Sequence, residues 1–439
     1  MVKLKRLKIH KFRNVVPGVE LHFDDRVNIL VGKNATGKTT LLNVVANCLR
    51  TGLPTPLDEE CHVDYDLEVD SLTITADVHC QQQEQPAGQL AQDTQGMATT
   101  PLGKATYALA WNLTLSSGKH RLRVRQDTTK GPNLHITEDD GPEKKLPAIP
   151  TDASGLWPAL GRLIGLVSQS HRHLVIVGVA GWLAKCNGAF RFDESLEFYT
   201  AVMGDGPPQF PLPFLSVCPA EPGKPGGGSF TLNMLPFEIL VTGLAAFGKK
   251  EPEKEVCIKT SSGPGFLREA TRLLGFEDAE LRMSLVERKR NGKGEEWIYG
   301  RLRMWFVRQD GSGINNSLLS YGQKRLLAFY YYLAVNQNVV VADELVNGFH
   351  HAWISECLSA LGERQAFLTS QNPLLLDYVP LESAKQAERR FVVCRLVEHD
   401  GQQRMKWENI SPEEAAQLYE AYGVGIQQVG EILRTSGLW

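Results

Sequence analysis

Apolar and polar positions alternate from the start of the chain. Leu4, Leu7, Ile9 and Phe12 sit among Lys3, Lys5, Arg6, Lys8, Lys11 and Arg13, a near-alternating pattern that predicts a half-exposed strand with one basic face. Residues 19–23 (VELHF) read as its antiparallel partner. The run Val27-Asn-Ile-Leu-Val31 is almost wholly apolar, as a strand buried on both faces requires. It empties into Gly32-Lys-Asn-Ala-Thr-Gly-Lys-Thr39, and from Thr40 to Leu49 the apolar residues recur at helical spacing. Period two returns over 61–78 and 105–124, in LEVDSLTITADV and TYALAWNLTL, which predicts an antiparallel meander. Residues 81–103 between them are polar and Gly-, Gln- and Thr-rich, hence a mobile loop. Residues 128–150 read as irregular connection.

The middle of the chain is mixed. Helical stretches are predicted at 156–167, 174–185 and 235–247, with a Gly- and Pro-rich loop at 204–229 and strand character at 297–308 (WIYGRLRMWFVR). A helix begins after Ser320, Asn338-Val-Val-Val-Ala342 is an apolar strand, a helix covers about 350–362, and Gln365-Ala-Phe-Leu-Thr369 is a further strand. No internal repeat and no long heptad run is present.

Composition narrows the classes. The 439 residues carry 47 Lys+Arg against 50 Asp+Glu, a net charge of −3, so any contact with nucleic acid has to be local. The cysteines at 48, 61, 80, 186, 218, 257, 357 and 394 show no CxxC spacing and read as thiols of a reducing compartment. The longest apolar stretch, His173 to Ala184, is too short to span a bilayer, and the N-terminus lacks a signal-peptide core. A soluble, cytoplasmic protein without a membrane partner is expected.

Three motifs carry chemistry. Gly32…Gly37-Lys38-Thr39 fits G-x-x-x-x-G-K-[ST] between a buried strand and a helix. Glycines let backbone N–H groups curl around phosphate oxygens, and the helix start adds its positive dipole end. Gly32, Asn34, Gly37, Lys38, Thr39 and Thr40 form the expected phosphate-binding set, with Lys38 at the β/γ-phosphates and Thr39 on Mg²⁺. The second motif, Val339-Val-Val-Ala-Asp343-Glu344, ends an apolar strand in two carboxylates. Asp343 is expected to hold Mg²⁺, and Glu344 to polarise the attacking water. The third, Ser320-Tyr-Gly-Gln-Lys-Arg325, is either a plain helix N-cap or a set of donors to a phosphate.

The order GKNATGKT, LLSYGQKR, VVVADE, ELVNGFHHAW, LTSQNP resembles the ABC-type ATPases of the SMC/RecF/OLD group, over about a quarter of the chain. The resemblance implies an α/β P-loop NTPase with an ABC-type ATPase head, a mixed sheet plus an antiparallel β-subdomain, split by a long α+β insertion. The expected domains are 1–140, 141–310 and 311–439. It also implies ATP and Mg²⁺ as ligands and a head-to-tail dimer of the chain with itself. In such a dimer Ser320, Gly322 and Gln323 contact the γ-phosphate bound on the opposite protomer, and Asn347, Gly348 and His350 form a dimer-facing segment. The tail GEILRTSGLW is similar to small bacterial ATPases found beside phage-defence effectors.

One departure stands out. Where such ATPases have Thr-His-Ser-Pro, this chain has Ser370-Gln371-Asn372-Pro373. Gln371 thus replaces the switch histidine, and an amide can hydrogen-bond a phosphate but cannot carry a proton. Slow turnover follows from that substitution. Too few residues follow Pro373 for an OLD-type Toprim domain, and no His-Asn-His nuclease pattern is present. His171 and His173 read as ordinary surface or core histidines. Residues 287–308 hold seven Lys/Arg against three acids, with Trp297, Tyr299, Trp305 and Phe306 interleaved; a solvated hairpin with inward aromatics is the favoured reading, a nucleic-acid face the other. The function expected is an ATP-driven sensor or regulatory switch for a separately encoded effector, such as a nuclease. The alternatives are a DNA-repair or DNA-clamping ATPase and a slowly hydrolysing nucleotide-held scaffold.

Overall fold

The computed structural model describes residues 2–49, 59–83, 106–127, 129–130, 133–146, 166–176, 191–193, 215–218, 227–230, 239, 251–260, 264–291, 294–371, 374–424, 429–435 and 437. The chain forms two units, Met1–Cys186 with Leu381–Trp439, and Asn187–Pro380.

The first unit begins with β1 (Val2–Phe12), β2 (Val19–His22), β3 (Val27–Val31) and α1 (Lys38–Leu49), followed by β4 (Cys61–Val69), β5 (Leu72–Gln83), β6 (Thr106–Ser117), β7 (His120–Asp127), β8 (Leu134–Glu138) and β9 (Lys144–Leu146). Eight of these strands make one antiparallel sheet in the order β2-β1-β4-β5-β6-β7-β8-β9. Alternation sets its inner face: Cys61, Val63, Tyr65, Leu67 and Val69 on β4 are buried, as are Leu72, Ile74, Ala76, Val78 and Cys80 on β5. The expected irregular connection at 128–150 is corrected here, because Leu134 and Ile136 are buried on β8 and the strand pairs with both β7 and β9. The short, charged strand β9 was too weakly patterned to read.

The basic stripe of β1 meets acids on every side. Register places Arg6 opposite Asp66, Lys8 opposite Asp64 and Lys3 opposite Glu68. Lys5 pairs with Asp25 at 2.5 Å and Glu68 at 2.9 Å, Arg6 with Asp66 at 2.7 Å and also with Asp64, and Lys8 with Glu20 at 3.2 Å. Lys11 pairs with Glu60, and Arg13 with Glu59 at 2.5 Å. The alternating acids of β4 are therefore counter-charges of β1, and as surface pairs they add little to stability.

The second unit contains β10 (Leu215–Cys218), β11 (Gly227–Phe230), β12 (Glu255–Lys259), α2 (Gly265–Leu274), β13 (Asp278–Asn291), β14 (Gly294–Val307) and β15 (Gly313–Asn315). The sheet runs β11-β10-β14-β13-β12, with β15 on β14. Strands at 215–218 and 227–230 correct the expected continuous loop over 204–229. Trp297, Tyr299 and Phe306 are buried, while Arg288 pairs with Glu295 and Lys289 with Glu287, as the solvated-hairpin reading requires. Then come α3 (Tyr321–Val335), β16 (Val339–Ala342), α4 (His351–Ala360) and β17 (Gln365–Thr369). β16 and β17 pair in parallel, and every residue of both is buried. Phe266 on α2 packs edge-on against Tyr331 on α3, with centroids 5.4 Å apart.

The chain returns to the first unit with β18 (Phe391–His399) and β19 (Gln402–Asn409), and ends in helices Pro412–Val424 and Val429–Thr435. β18 lies parallel beside β3, Ile29 opposite Phe391 and Val31 opposite Val393. β18 and β19 form a hairpin whose turn residues, Asp400 and Gly401, both have positive φ, the Asp-Gly type I′ arrangement. Of the predicted helices, most of 156–167, 174–185 and 235–247 lies outside the described residues, as do most of 81–103. Among the described residues no helix is long and apolar enough to cross a membrane.

Candidate functional site

In the first unit, β3 delivers the chain into a loop whose backbone only glycine tolerates at two points. Gly32 has φ +144° and Gly37 φ +87°. A Cβ on Gly32 would collide with the Cys394 carbonyl; one on Gly37 would collide with the Met405 sulfur and lie 3.2 Å from the Trp407 indole. The loop thus rests on β18 and β19. The Trp407 Nε1–H donates to the Thr36 carbonyl at 3.2 Å, and the Thr36 hydroxyl donates to the Lys33 carbonyl at 2.8 Å. The Leu41 N–H donates to the Gly37 carbonyl at 2.9 Å, opening α1.

Lys38 is only 8% exposed. Its ammonium donates to the carbonyls of Gly32 at 2.7 Å and Lys33 at 2.9 Å, holding the positive charge against the loop at the start of α1. Asn34 and Thr39 are exposed and Thr40 half-buried. All six predicted phosphate-binding residues are therefore on one loop and the first turn of one helix. Met405 and Trp407, which wall the loop, were not found from sequence; only the Asp400-Gly401 turn hints at the hairpin that carries them.

In the second unit, Ser320 caps α3. Its hydroxyl accepts from the Gln323 N–H at 3.4 Å, while the Gln323 side chain accepts from the Ser320 N–H at 2.9 Å, a reciprocal capping box. Gly322 is required by packing, since a Cβ there would meet the Gly348 carbonyl at 2.7 Å. The first turn of α3 thus lies against the Asn347-Gly348 turn, where Gly348 has φ +78°.

Arg325, 5% exposed, ties α3 to the end of β16. Its guanidinium donates to the carbonyls of Glu344, Leu345 (3.3 Å) and Asp343 (3.5 Å) and lies 5.0 Å from the Phe192 ring centroid. Glu344 sits at φ +50°, a strained conformation for a side chain of its size. Thr369 holds both acids: its hydroxyl donates to Asp343 Oδ1 and accepts from the Glu344 N–H at 2.9 Å. The Gln371 N–H donates to Glu344 Oε2 at 3.0 Å. Arg191 reaches the other Asp343 oxygen at 3.6 Å and also pairs with Asp193. The second unit therefore brings together Asp343, Glu344 and the main chain of Gln371, and adds Arg325, Thr369 and Arg191, which sequence reading missed. Asn372 and Pro373 lie outside the described residues.

Two family models match. "AAA domain" covers residues 6–145, and "AAA domain, putative AbiEii toxin, Type IV TA system" covers residues 254–377. Both matched stretches are similar to AAA domains. The SMC/RecF-like ABC-type ATPase resemblance drawn from the motifs agrees with them. Among solved structures, the Smc head domain with an extended coiled coil from Pyrococcus furiosus is 12% identical, with a TM-score of 0.37 over 96% of this chain and 100% of that one. The SMC head domain from Thermotoga maritima is 10% identical, with a TM-score of 0.31 over 93% and 99%. The recombination mediator protein RecF is 12% identical, with a TM-score of 0.29 over 93% and 98%. No curated protein sequence matches the chain.

Proposed function

We propose that the chain is an ATP-hydrolysing ABC-type switch that dimerises around ATP and controls a separate effector, a nuclease in anti-phage defence being the foremost candidate. The observation that carries the ATP reading is the P-loop itself: a strand, a loop shaped by Gly32 and Gly37, and a lysine held at the helix start. On binding, phosphate oxygens replace the Gly32 and Lys33 carbonyls as acceptors for Lys38, and the N–H groups of the loop complete the cradle. Glu344 orients water as general base, and Gln371 stands by the same carboxylate. Ser320, Gly322 and Gln323 present the first turn of α3 to the nucleotide of a second protomer. In this reading residues 1–140 and 311–439 build the head and 141–310 the insertion.

The hydroxyl of Thr39 in the first unit and the carboxylate of Asp343 in the second are each hard oxygens of the kind Mg²⁺ takes, and would be its ligands. Mg²⁺ would supply charge neutralisation for the phosphates. The Thr369 hydroxyl already orients Asp343 through Oδ1, while Arg191, 3.6 Å from the other oxygen, would compete with the ion for it.

The neutralised basic stripe of β1 favours a regulator over a DNA-handling machine. Lys5, Arg6, Lys8, Lys11 and Arg13 of the N-terminal stripe have acidic partners, as do Arg288 and Lys289 on β13, which reduces the charge those residues offer to phosphodiesters. The test is hydrolysis by the purified chain with and without duplex DNA, beside Lys38→Ala. Slow turnover, indifferent to DNA and lost in Lys38→Ala, is expected. A rate that climbs steeply with DNA and falls with salt overturns the regulator reading, and an active Lys38→Ala overturns the ATP site.

A further inference from the structure

Away from the nucleotide motifs, three segments of the first unit bring together two imidazoles and a carboxylate. His120 opens β7, Asp139 sits in the turn after β8, and His171 lies on a helix spanning 169–176. Nδ1 of His120 is 3.9 Å from Asp139 Oδ2, and Nε2 of His171 is 3.1 Å from Asp139 Oδ1. One donor atom from each residue lies within 4.8 Å of the other two. In a tetrahedral zinc site, bond lengths of about 2.0–2.2 Å set neighbouring donors roughly 3.3 Å apart. The two His–Asp separations, each to a different oxygen of Asp139, lie on either side of that figure.

His120 Nδ1 and His171 Nε2 are both shielded from solvent, and each faces the Asp139 carboxylate. His171 is only 3% exposed, so its Nε2 depends on that carboxylate, or on an ion held between them, to offset its desolvation. Its other nitrogen, Nδ1, is engaged: the Ser168 and Ser170 hydroxyls lie at 2.9 and 3.1 Å, and Glu138 Oε2 at 3.2 Å. A carboxylate on the far nitrogen of a buried histidine fixes the ring and leaves the near nitrogen basic, the support that metal-ligating histidines have. Asp139 is fixed as well, its Oδ1 accepting the Arg121 N–H at 2.8 Å.

We propose that His120, Asp139 and His171 bind one divalent transition-metal ion of the Zn²⁺ class, which fastens the 169–176 helix to the β6–β7 and β8–β9 turns of the meander. Two imidazoles and a carboxylate make a borderline donor set that suits Zn²⁺ over Mg²⁺ or Ca²⁺. Three protein ligands leave a fourth position for water. The ligands come from segments 19 and 32 residues apart, so no short spacing motif announces them.

The experiment uses the full chain, stripped with chelator and dialysed without nucleotide against Zn²⁺, with bound metal counted by elemental analysis. One equivalent is expected for the wild type, and loss of that equivalent in both Asp139→Asn and His120→Ala. His120 is a third exposed, so its truncation leaves the core intact, which the melting curve of the metal-free variant verifies. Co²⁺ in place of Zn²⁺ should give visible d–d bands without thiolate charge transfer. No stoichiometric metal in the wild type shows an ordinary Asp–His ion pair and overturns the site. Metal retained by both variants, or strong thiolate bands, places the ion on the Cys48, Cys61 and Cys80 thiols or elsewhere and overturns it equally.

Discussion

Gly37→Ala is the perturbation whose effect the structure specifies most fully. At φ +87° an L side chain costs about 1–2 kcal/mol. The new methyl also collides with the Met405 sulfur and crowds Trp407, and overpacking of this kind costs about 1–3 kcal/mol. The total is roughly 2–5 kcal/mol, borne by the phosphate loop and not by a distant core. The loop relieves it by leaving the cradle conformation, so the lower figure already reduces ATP affinity roughly 30-fold. Titration with a fluorescent ATP analogue measures this, with a melting curve to show that the fold survives. The double variant with Met405→Ala removes the collision but keeps the unfavourable φ. It should regain part of the loss, a non-additivity expected of residues in contact. Binding by Gly37→Ala within twofold of wild type would refute the reasoning. So would a double variant no better than the single one, provided Met405→Ala alone binds normally.

Three further outcomes follow. Thr369→Val strips the hydroxyl from Asp343 and the acceptor from the Glu344 N–H; a loss of about 1–3 kcal/mol in unfolding free energy is expected, with slower hydrolysis, and a variant as stable as wild type contradicts the assigned bonds. Arg191→Gln removes the guanidinium 3.6 Å from Asp343, so the Mg²⁺ concentration giving half-maximal hydrolysis should fall; an unchanged or higher value shows that Arg191 does not compete with the ion. Burial, and secondarily the neighbouring Cys80, pushes the Cys61 thiol up to about 12, leaving about one molecule in ten thousand as thiolate at pH 8. Native-state alkylation followed by peptide mapping should therefore label exposed Cys257 well before Cys61, and the reverse order would mean that the β4–β5 face opens.

Local pattern explains what could be read from the sequence. The β1–β2 pairing, the strand–loop–helix of the P-loop, α3 with its Ser320 cap, and the parallel β16 and β17 each declare themselves within a window of about a dozen residues. What escaped depends on partners far along the chain. The acids of β4 make sense only opposite β1, some sixty residues earlier. The wall behind Gly37 is built from Met405 and Trp407, more than 360 residues away. Strands β8 and β9 are short and charged, and β10 and β11 sit in a Gly- and Pro-rich stretch whose composition masks their pairing. His171 looked ordinary because its neighbours, Asp139 and His120, are invisible at helical spacing. The motif Ser320–Arg325 says nothing of where Arg325 goes; its burial against the main-chain carbonyls after β16 is a property of the fold. By contrast, the Asp400-Gly401 turn is a hairpin signal legible in the sequence.

Closure around ATP and reopening on hydrolysis are tested most directly by the mass of Glu344→Gln in solution. This substitution keeps the side-chain shape and removes the base, so bound ATP persists. Light scattering after gel filtration should show a dimer with ATP and Mg²⁺, and a monomer with ADP or in the Lys38→Ala, Glu344→Gln double variant. A mass that is the same in all three conditions, or wild-type hydrolysis by Glu344→Gln, would contradict the account.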